Sequence, residues 1–194
     1  MQAILLPRFF DRSALVVGRE LLGKFLVRRR RGREVALPVT ELEVYDGFKD
    51  RASHAFWGKT ARNQVMFGDA GHLYVYLVYG MHWMLNVTVG PSGYPAAILI
   101  RGAGDIRGPG KLTATLGIDK RQNGTSALPA SGLWFEDRGV RVPDELVEKT
   151  ARIGISYAGN VWAKKPYRFL LKERDQVTLI ISYARILHER KQAG

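Results

Sequence analysis

Three apolar and aromatic runs lie almost end to end at residues 72–79, 82–89 and 96–101, and their spacing limits the fold more than any other feature. Only Gly80 and Met81 separate the first two, which leaves room for a tight turn. Antiparallel strands accept a link that short, whereas parallel strands need a crossover of a dozen or more residues. A hairpin with a third strand close behind it is therefore expected at the centre of the chain. Residues 24–30, 35–45, 152–157, 168–171 and 177–181 also read as extended, with Pro38 placing the first half of 35–45 at a sheet edge. Ala14, Leu15, Val17, Gly18, Leu21 and Leu22 recur at helical spacing, with Asp11 as the expected N-cap and Gly23 as the stop. Residues 111–116 and 143–151 read as further helices, and the chain beyond Ser182 as a helical tail. Strands and helices interspersed without a regular βαβ period predict an α+β fold: one compact domain over 1–194, with a curved, largely antiparallel β-sheet flanked by helices and a possible extension from 182. The polar, aperiodic stretch 46–71 is expected to be a loop that carries function.

Composition narrows the chemistry. At 194 residues, with 46% hydrophobic and 25% charged side chains, the chain can bury a sizeable core, which excludes wholesale disorder. With no cysteine there is no disulfide, thiolate metal site or cysteine nucleophile, and four histidines scattered in sequence give little support for a metal. No metal or cofactor is expected. No apolar run approaches the length of a membrane span, and the first seven residues are too short for a signal sequence, so a cytoplasmic protein without membrane association is expected, nucleoid-associated if bacterial. Lys and Arg number 30 against 18 Asp and Glu, a formal charge of +12. Such an excess favours polyanions through counterion release, and nucleic acid ahead of acidic membranes. The arginine-rich run 28–33 reads first as a solvated turn.

Two segments and three single residues carry candidate chemistry. In Glu41-Leu42-Glu43-Val44-Tyr45 the strand period of two sets Glu41, Glu43 and Tyr45 on one face. Two carboxylates there are expensive if buried and free if solvated. A carboxylate beside an aromatic is also what a hydrolase needs to take a proton from water and counter a developing cation. In the run 72–81, Tyr74 and Tyr76 share a face while Tyr79 has the opposite parity and sits at the turn. Tyrosines in a strand are commonly core. In so basic a chain they also suit stacking on extruded bases, with a wedge at the turn. Asn86, a lone amide in an apolar strand, either pairs with neighbouring backbone or meets a ligand. Arg101 is either a strand-end cation with its head in water or a site residue, and His54 a polar aromatic contact or a surface residue.

Taken in order, these segments resemble the alkyladenine (3-methyladenine) DNA glycosylase family. The resemblance runs from Phe9-Phe10-Asp11 and Leu21-Leu22-Gly23-Lys24 through Glu41 to Tyr45, Thr60-Ala61-Arg62-Asn63, Leu73 to Met81 and Asn86. It resumes at Arg101, Gly108-Pro109-Gly110-Lys111-Leu112, Arg152-Ile153-Gly154 and Lys165-Pro166-Tyr167-Arg168-Phe169. It implies a monofunctional glycosylase that flips a damaged purine out of duplex DNA and hydrolyses its N-glycosidic bond, on a fold similar to the C-terminal domain of methionyl-tRNA formyltransferase. By resemblance Glu43 is the general base and Arg101 a basic residue near the water and sugar, whereas Glu41 matches a position without the base's role. Tyr45, His54 and Tyr76 match the residues that sandwich the flipped base, and Asn86 the amide that clashes with the 2-amino group of guanine. Tyr79 matches the intercalating residue, with Met81 beside it. Arg62, Lys111, Lys164, Lys165 and Arg168 are the expected DNA-backbone contacts. The expected partner is double-stranded DNA with alkylated or deaminated purines, bound by a monomer.

Residues 102–107 depart from the pattern, being shorter than the helical segment the family usually carries there. Two other readings remain at this stage: a catalytically silent module for damaged DNA, and a domain for structured RNA or formyl transfer. Glu43 together with Tyr45, His54 and Tyr79 favours the glycosylase. A lyase activity would need a lysine in the pocket, and no matched pocket position is lysine.

Overall fold

A computed structural model describes residues 2–172; the strand expected at 177–181 and the tail beyond Ser182 lie outside these residues. In chain order the elements are β1 (Ala3–Ile4), α1 (Pro7–Phe10), α2 (Ala14–Leu21), β2 (Phe25–Arg30), β3 (Arg33–Asp46), β4 (Leu73–Val78), β5 (His82–Thr88), β6 (Ala96–Ala103), β7 (Ile106–Arg107), α3 (Pro109–Leu116), β8 (Leu133–Asp137), β9 (Val147–Thr150), α4 (Gly159–Ala163) and β10 (Arg168–Leu171). The strands form a ten-stranded sheet of order β1-β8-β2-β3-β6-β5-β4, with β10 joined to β3 and β9, and β7 to β6. Every pairing is antiparallel, so the α+β architecture with an antiparallel sheet is borne out.

Strand β3 is the pivot. Its first half, from Arg33 to Pro38, pairs with β2, and from Val39 onward the strand pairs with β6. Pro38 thus falls in the half with a ladder on one side, where a missing N–H costs least. The β3–β6 register shifts between Val39 and Glu41 and again before Leu42, an irregularity of the kind that bends a strand and re-aims its side chains. Beyond it the alternation resumes: Leu42 and Val44 are fully buried in the main core, with Ile98 and Ile100 of β6 and Leu85 and Val87 of β5. Helix α2 covers this side, burying Ala14, Val17 and Leu21, and each large aliphatic chain so removed from water contributes about 1.5 to 3 kcal/mol. Gly18 makes the approach possible, since a Cβ there would stand 2.6 Å from Val44 Cγ2.

The central hairpin forms as expected, with β4 and β5 paired from Leu73↔Val87 to Val78↔His82, and residues 102–107 close a second, tighter one between β6 and β7. Other local expectations are corrected. Asp11 does not cap α2: it ends the unanticipated α1, its N–H donating to the Pro7 carbonyl, and Ser13 stands at the N-cap of α2. Residues 143–151 are not a helix but a 3-10 turn followed by β9, because pairing with β10 along the whole of 147–150 outweighs the local pattern. Residues 152–157 are not a strand: Arg152 is buried and Gly154 has φ 76°, which breaks the extended run. The arginine run is divided: Arg28, Arg29 and Arg30 lie in β2, in keeping with the extended reading of 24–30, and only Arg31 and Gly32 form the hairpin turn to β3. Arg28 is buried, its guanidinium donating to the carbonyls of Leu116, Gly117 and Gly132, which satisfies acceptors left open at the end of α3.

Candidate active site

From the register shift onward, β3 presents Glu41, Glu43 and Tyr45 on the face opposite Leu42 and Val44, and the two carboxylates are linked through one arginine. Arg101, from β6, donates through Nε to Glu41 Oε1 at 2.7 Å and sets Nη1 3.3 Å from Glu43 Oε1. Arg168, from β10, donates its Nε to the same Glu41 oxygen at 2.7 Å and Nη1 to Thr150 Oγ1. Glu43 is wholly buried (0% exposed), a position that is costly for a carboxylate without donors. It has them: the Tyr45 hydroxyl donates to Oε2 at 2.9 Å and the Ile153 N–H to Oε1 at 2.8 Å. Burial works against the Glu41 carboxylate, but its hydrogen bonds from Arg101 and Arg168 outweigh that and hold its pKa below the ordinary carboxylate range.

A second buried pair frames the site. Asp50, in the 46–71 loop, and Arg152 are both fully buried and joined by a bidentate contact, Nη2 to Oδ1 at 2.8 Å; Arg152 also donates to the Val44 carbonyl. Asp50 in turn accepts from the N–H groups of Asp46 and Ala52. The Arg152 guanidinium lies 4.7 Å from the centroid of Tyr45 and 5.3 Å from that of Tyr167. One ion pair thus locks the loop after β3, the loop before α4 and the back of the Tyr45 ring. Gly47 permits the exit from β3: its φ is 74°, and a Cβ there would collide with the ring of Tyr94, whose hydroxyl donates to Asp46.

These elements enclose a narrow aromatic slot of about 40 Å3, lined by Tyr45, His54, Tyr74, Tyr76, Asn86 and Tyr157 with Ala52, Met66 and Ala97. It adjoins a cleft of about 460 Å3 that shares Tyr45, His54, Tyr76 and Tyr157 and adds Glu43, Arg62, Tyr79, Arg101, Pro109 and Ile153. The rings of His54 and Tyr76 are 4.5 Å apart, those of Tyr74 and Tyr76 5.1 Å, and His54 Nδ1 shares a 3.0 Å hydrogen bond with the Tyr74 hydroxyl. Desolvation against these rings, with Arg62 nearby, holds His54 below the ordinary imidazole pKa. Burial drives the Tyr74 hydroxyl up to about 12. Burial and then the Glu43 charge raise Tyr45 well above the ordinary range. The slot is therefore lined at neutral pH by uncharged rings, with Glu43 in the cleft beside it.

The hairpin tip projects at the other side of the cleft. Tyr79 and Met81 are 88% and 69% exposed, and Tyr79 adopts φ 51°, a left-handed conformation rare for an aromatic residue. Asn86 is buried and donates to the Tyr74 and Met84 carbonyls, so the backbone pairing open in the sequence is realised while the residue also lines the slot. Arg62 is exposed; it donates to the Leu77 carbonyl, and its guanidinium carbon lies 5.5 Å from the Tyr76 centroid. Lys111, on α3, and Lys164, after α4, are exposed, and Lys165 packs over Trp162 at 4.0 Å. Arg168 differs from these, its guanidinium being engaged by Glu41 and Thr150. The Asp50–Arg152 pair, the Ile153 N–H and Tyr157 take their places only through the fold; the Arg-Ile-Gly stretch at 152–154 is their one signal in the sequence. Among the described residues no group of three or more His, Asp or Glu is placed to hold a metal ion, and no helix is long and apolar enough to cross a membrane.

A family model described as methylpurine-DNA glycosylase matches residues 8–106 and 104–175. A protein of Methanocella arvoryzae, provisionally named 3-methyladenine DNA glycosylase, is 42% identical over 194 residues, covering 89% of this chain and 95% of its own. Proteins of the same provisional name from Myxococcus xanthus and Carboxydothermus hydrogenoformans are 39% and 38% identical, covering 88% and 90% of this chain and 91% and 99% of their own. With nearly the whole described chain matched and the acid, the aromatic slot and the exposed hairpin in one cleft, this protein belongs to the methylpurine-DNA glycosylase family of DNA-repair hydrolases.

Proposed function

We propose that this glycosylase extrudes an alkylated or deaminated purine from duplex DNA into the slot of Tyr45, His54 and Tyr76 and hydrolyses its N-glycosidic bond with water activated by Glu43. The observation that carries the reading is the position of Glu43: a buried carboxylate lining a cleft, bonded to Tyr45 and the Ile153 N–H and next to Arg101. As the C1′–N bond breaks, its electron pair leaves with the purine and positive charge develops on the sugar. The carboxylate counters that charge and takes a proton from the water whose oxygen bonds to C1′. A cationic base such as N3-methyladenine or N7-methylguanine departs neutral, while hypoxanthine must first gain a proton. Stacking on Tyr76 and uncharged His54 supplies about 0.5 to 2 kcal/mol per ring to a cationic base. Tyr79, with Met81, occupies the vacated stack and offsets part of the few kcal/mol of flipping. Asn86 reads the base edge at the bottom of the slot, and Arg62, Lys111, Lys164 and Lys165 approach phosphates.

The test is single-turnover release of N3-methyladenine or hypoxanthine from duplex oligonucleotides. Wild type is expected to release base, and Glu43→Gln to lose release by at least two orders of magnitude while still binding the duplex. Tight binding of distorted DNA without release of any lesion by wild type would overturn the reading in favour of a recognition module.

A further inference from the structure

Trp57 is 89% exposed although it is the largest apolar side chain in the 46–71 loop. It stands edge-on to Phe56, with ring centroids 4.8 Å apart, and it lines a groove of about 380 Å3 together with Arg51, Ser53, His54, Thr60, Arg62, Asn63 and Tyr157. Three of those residues, His54, Arg62 and Tyr157, also line the cleft that holds Glu43. The two depressions are thus neighbours, with these three side chains bordering both. Among the described residues no acidic side chain lines the groove, and exposed Arg51 and Arg62 border it.

The loop that carries the indole is pinned. Buried Asn63 donates through Nδ2 to the carbonyls of His54 and Gly58 at 2.8 and 2.9 Å, and its Oδ1 accepts the Thr60 N–H at 2.6 Å. Backbone bonds from Phe56 to Ser53 and from Gly58 to Ala55 close one turn just before Trp57 and one that contains it. The ring is consequently held out in water by a fixed backbone, so a planar partner can stack on it at little cost in chain ordering. Exposed aromatics flanked by cations are the platforms on which unstacked bases rest.

We propose that this groove is a second nucleotide subsite, in which Trp57 stacks on the neighbouring base of the lesion-bearing strand once that base, too, has left the helix, while Arg62, common to both depressions, faces the phosphate between them. The proposal rests on the glycosylase reading above and adds to it a contact outside the base slot.

The experiment measures affinity for a duplex containing one lesion as a function of salt, with wild type, Trp57→Ala, Trp57→Phe and, as control, Val35→Ala at the opposite end of β3. Trp57→Ala is expected to weaken binding by about tenfold with an unchanged log–log salt slope, because stacking neutralises no phosphate. Trp57→Phe is expected to retain most of the affinity, and Val35→Ala all of it. Wild-type tryptophan fluorescence should be quenched by the duplex, and Trp57→Phe should lose most of that quenching, since Trp134 is buried and Trp83 and Trp162 are partly so. Affinity and quenching unaltered in both Trp57 variants, while wild type still releases base, would overturn the subsite and leave the glycosylase reading standing. A wild type that neither binds nor cleaves lesion DNA overturns both. A changed salt slope in Trp57→Ala would replace stacking by a purely electrostatic effect and also overturn the proposal.

Discussion

At the scale of single residues, identical carboxylates two positions apart on one strand have been given different neighbours. Glu43 meets a hydroxyl, a backbone N–H and the far nitrogen of Arg101; Glu41 accepts the Nε groups of two arginines on one oxygen. Glu41 therefore fixes the guanidinium that reaches Glu43, although by resemblance its position lacks the base's role. Glu41→Gln is expected to slow single-turnover base release about tenfold, corresponding to roughly 1.4 kcal/mol of a charge-assisted interaction, with Glu41→Asp partly restoring it and duplex affinity little changed. Release at the wild-type rate in Glu41→Gln would show that Arg101 is held by other means. The parity that puts both acids and Tyr45 together was legible in the sequence, because strand side chains alternate strictly. Whether that face was dry or wet was not, since the donors come from residues 101, 153 and 168.

At the scale of elements, β3 and the β4–β5 hairpin do most of the positioning. The register shift in β3 falls at Glu41, where the strand passes from β2 to β6, and the turn after β4 holds Tyr79 at φ 51° beside Gly80 at 71°, with the Met81 N–H donating to the Val78 carbonyl. A left-handed non-glycine residue costs about 1 to 2 kcal/mol, offset in a glycine variant by about 0.5 to 1 kcal/mol of added chain entropy. Tyr79→Gly is accordingly expected to raise the melting temperature by roughly 1 to 3 °C while reducing release of lesion bases. A variant both less stable and fully active would contradict this trade of backbone strain for an exposed side chain. The hairpin was evident from a link too short for anything else. The helix expected at 143–151 was misjudged because β9 exists only through its partner β10, which lies some twenty residues onward.

At the scale of the whole molecule, a net charge of +12 suits a polyanionic substrate and must also be contained. Several of the 30 cations are spent internally, among them Arg28 on the end of α3, Arg152 on Asp50 and Lys24 on Asp137. Asp137 joins the C-terminal end of β8 to the start of β2. Burial opposes its charge, but bonds from Lys24 and the Gly139 N–H bring its pKa to about 2, against an ordinary 3.8. A carboxyl depressed in the folded state contributes stability in full above the unfolded pKa and loses it as pH falls through the folded one. Asp137→Asn is thus expected to lose on the order of 1 to 2 kcal/mol at pH 7, allowing for solvent screening, with the gap to wild type narrowing between about pH 4 and pH 2. Urea unfolding across that range checks it; a gap independent of pH would assign the loss to packing instead.

The sequence by itself determined what depends on short range. Strand alternation, the tight link between β4 and β5, the basic excess and the ordered motifs each follow from residues a few positions apart or from simple counts, and together they reach the sheet, the family and the membership of the cleft. Tertiary structure decided what depends on closure at long separation. Asp50 and Arg152 stand 102 positions apart and Ile153 lies 110 from Glu43. No local pattern encodes such partners, because burying an ion pair or a carboxylate becomes favourable only once folding has brought its counter-charge and donors to it and removed the water that would otherwise serve.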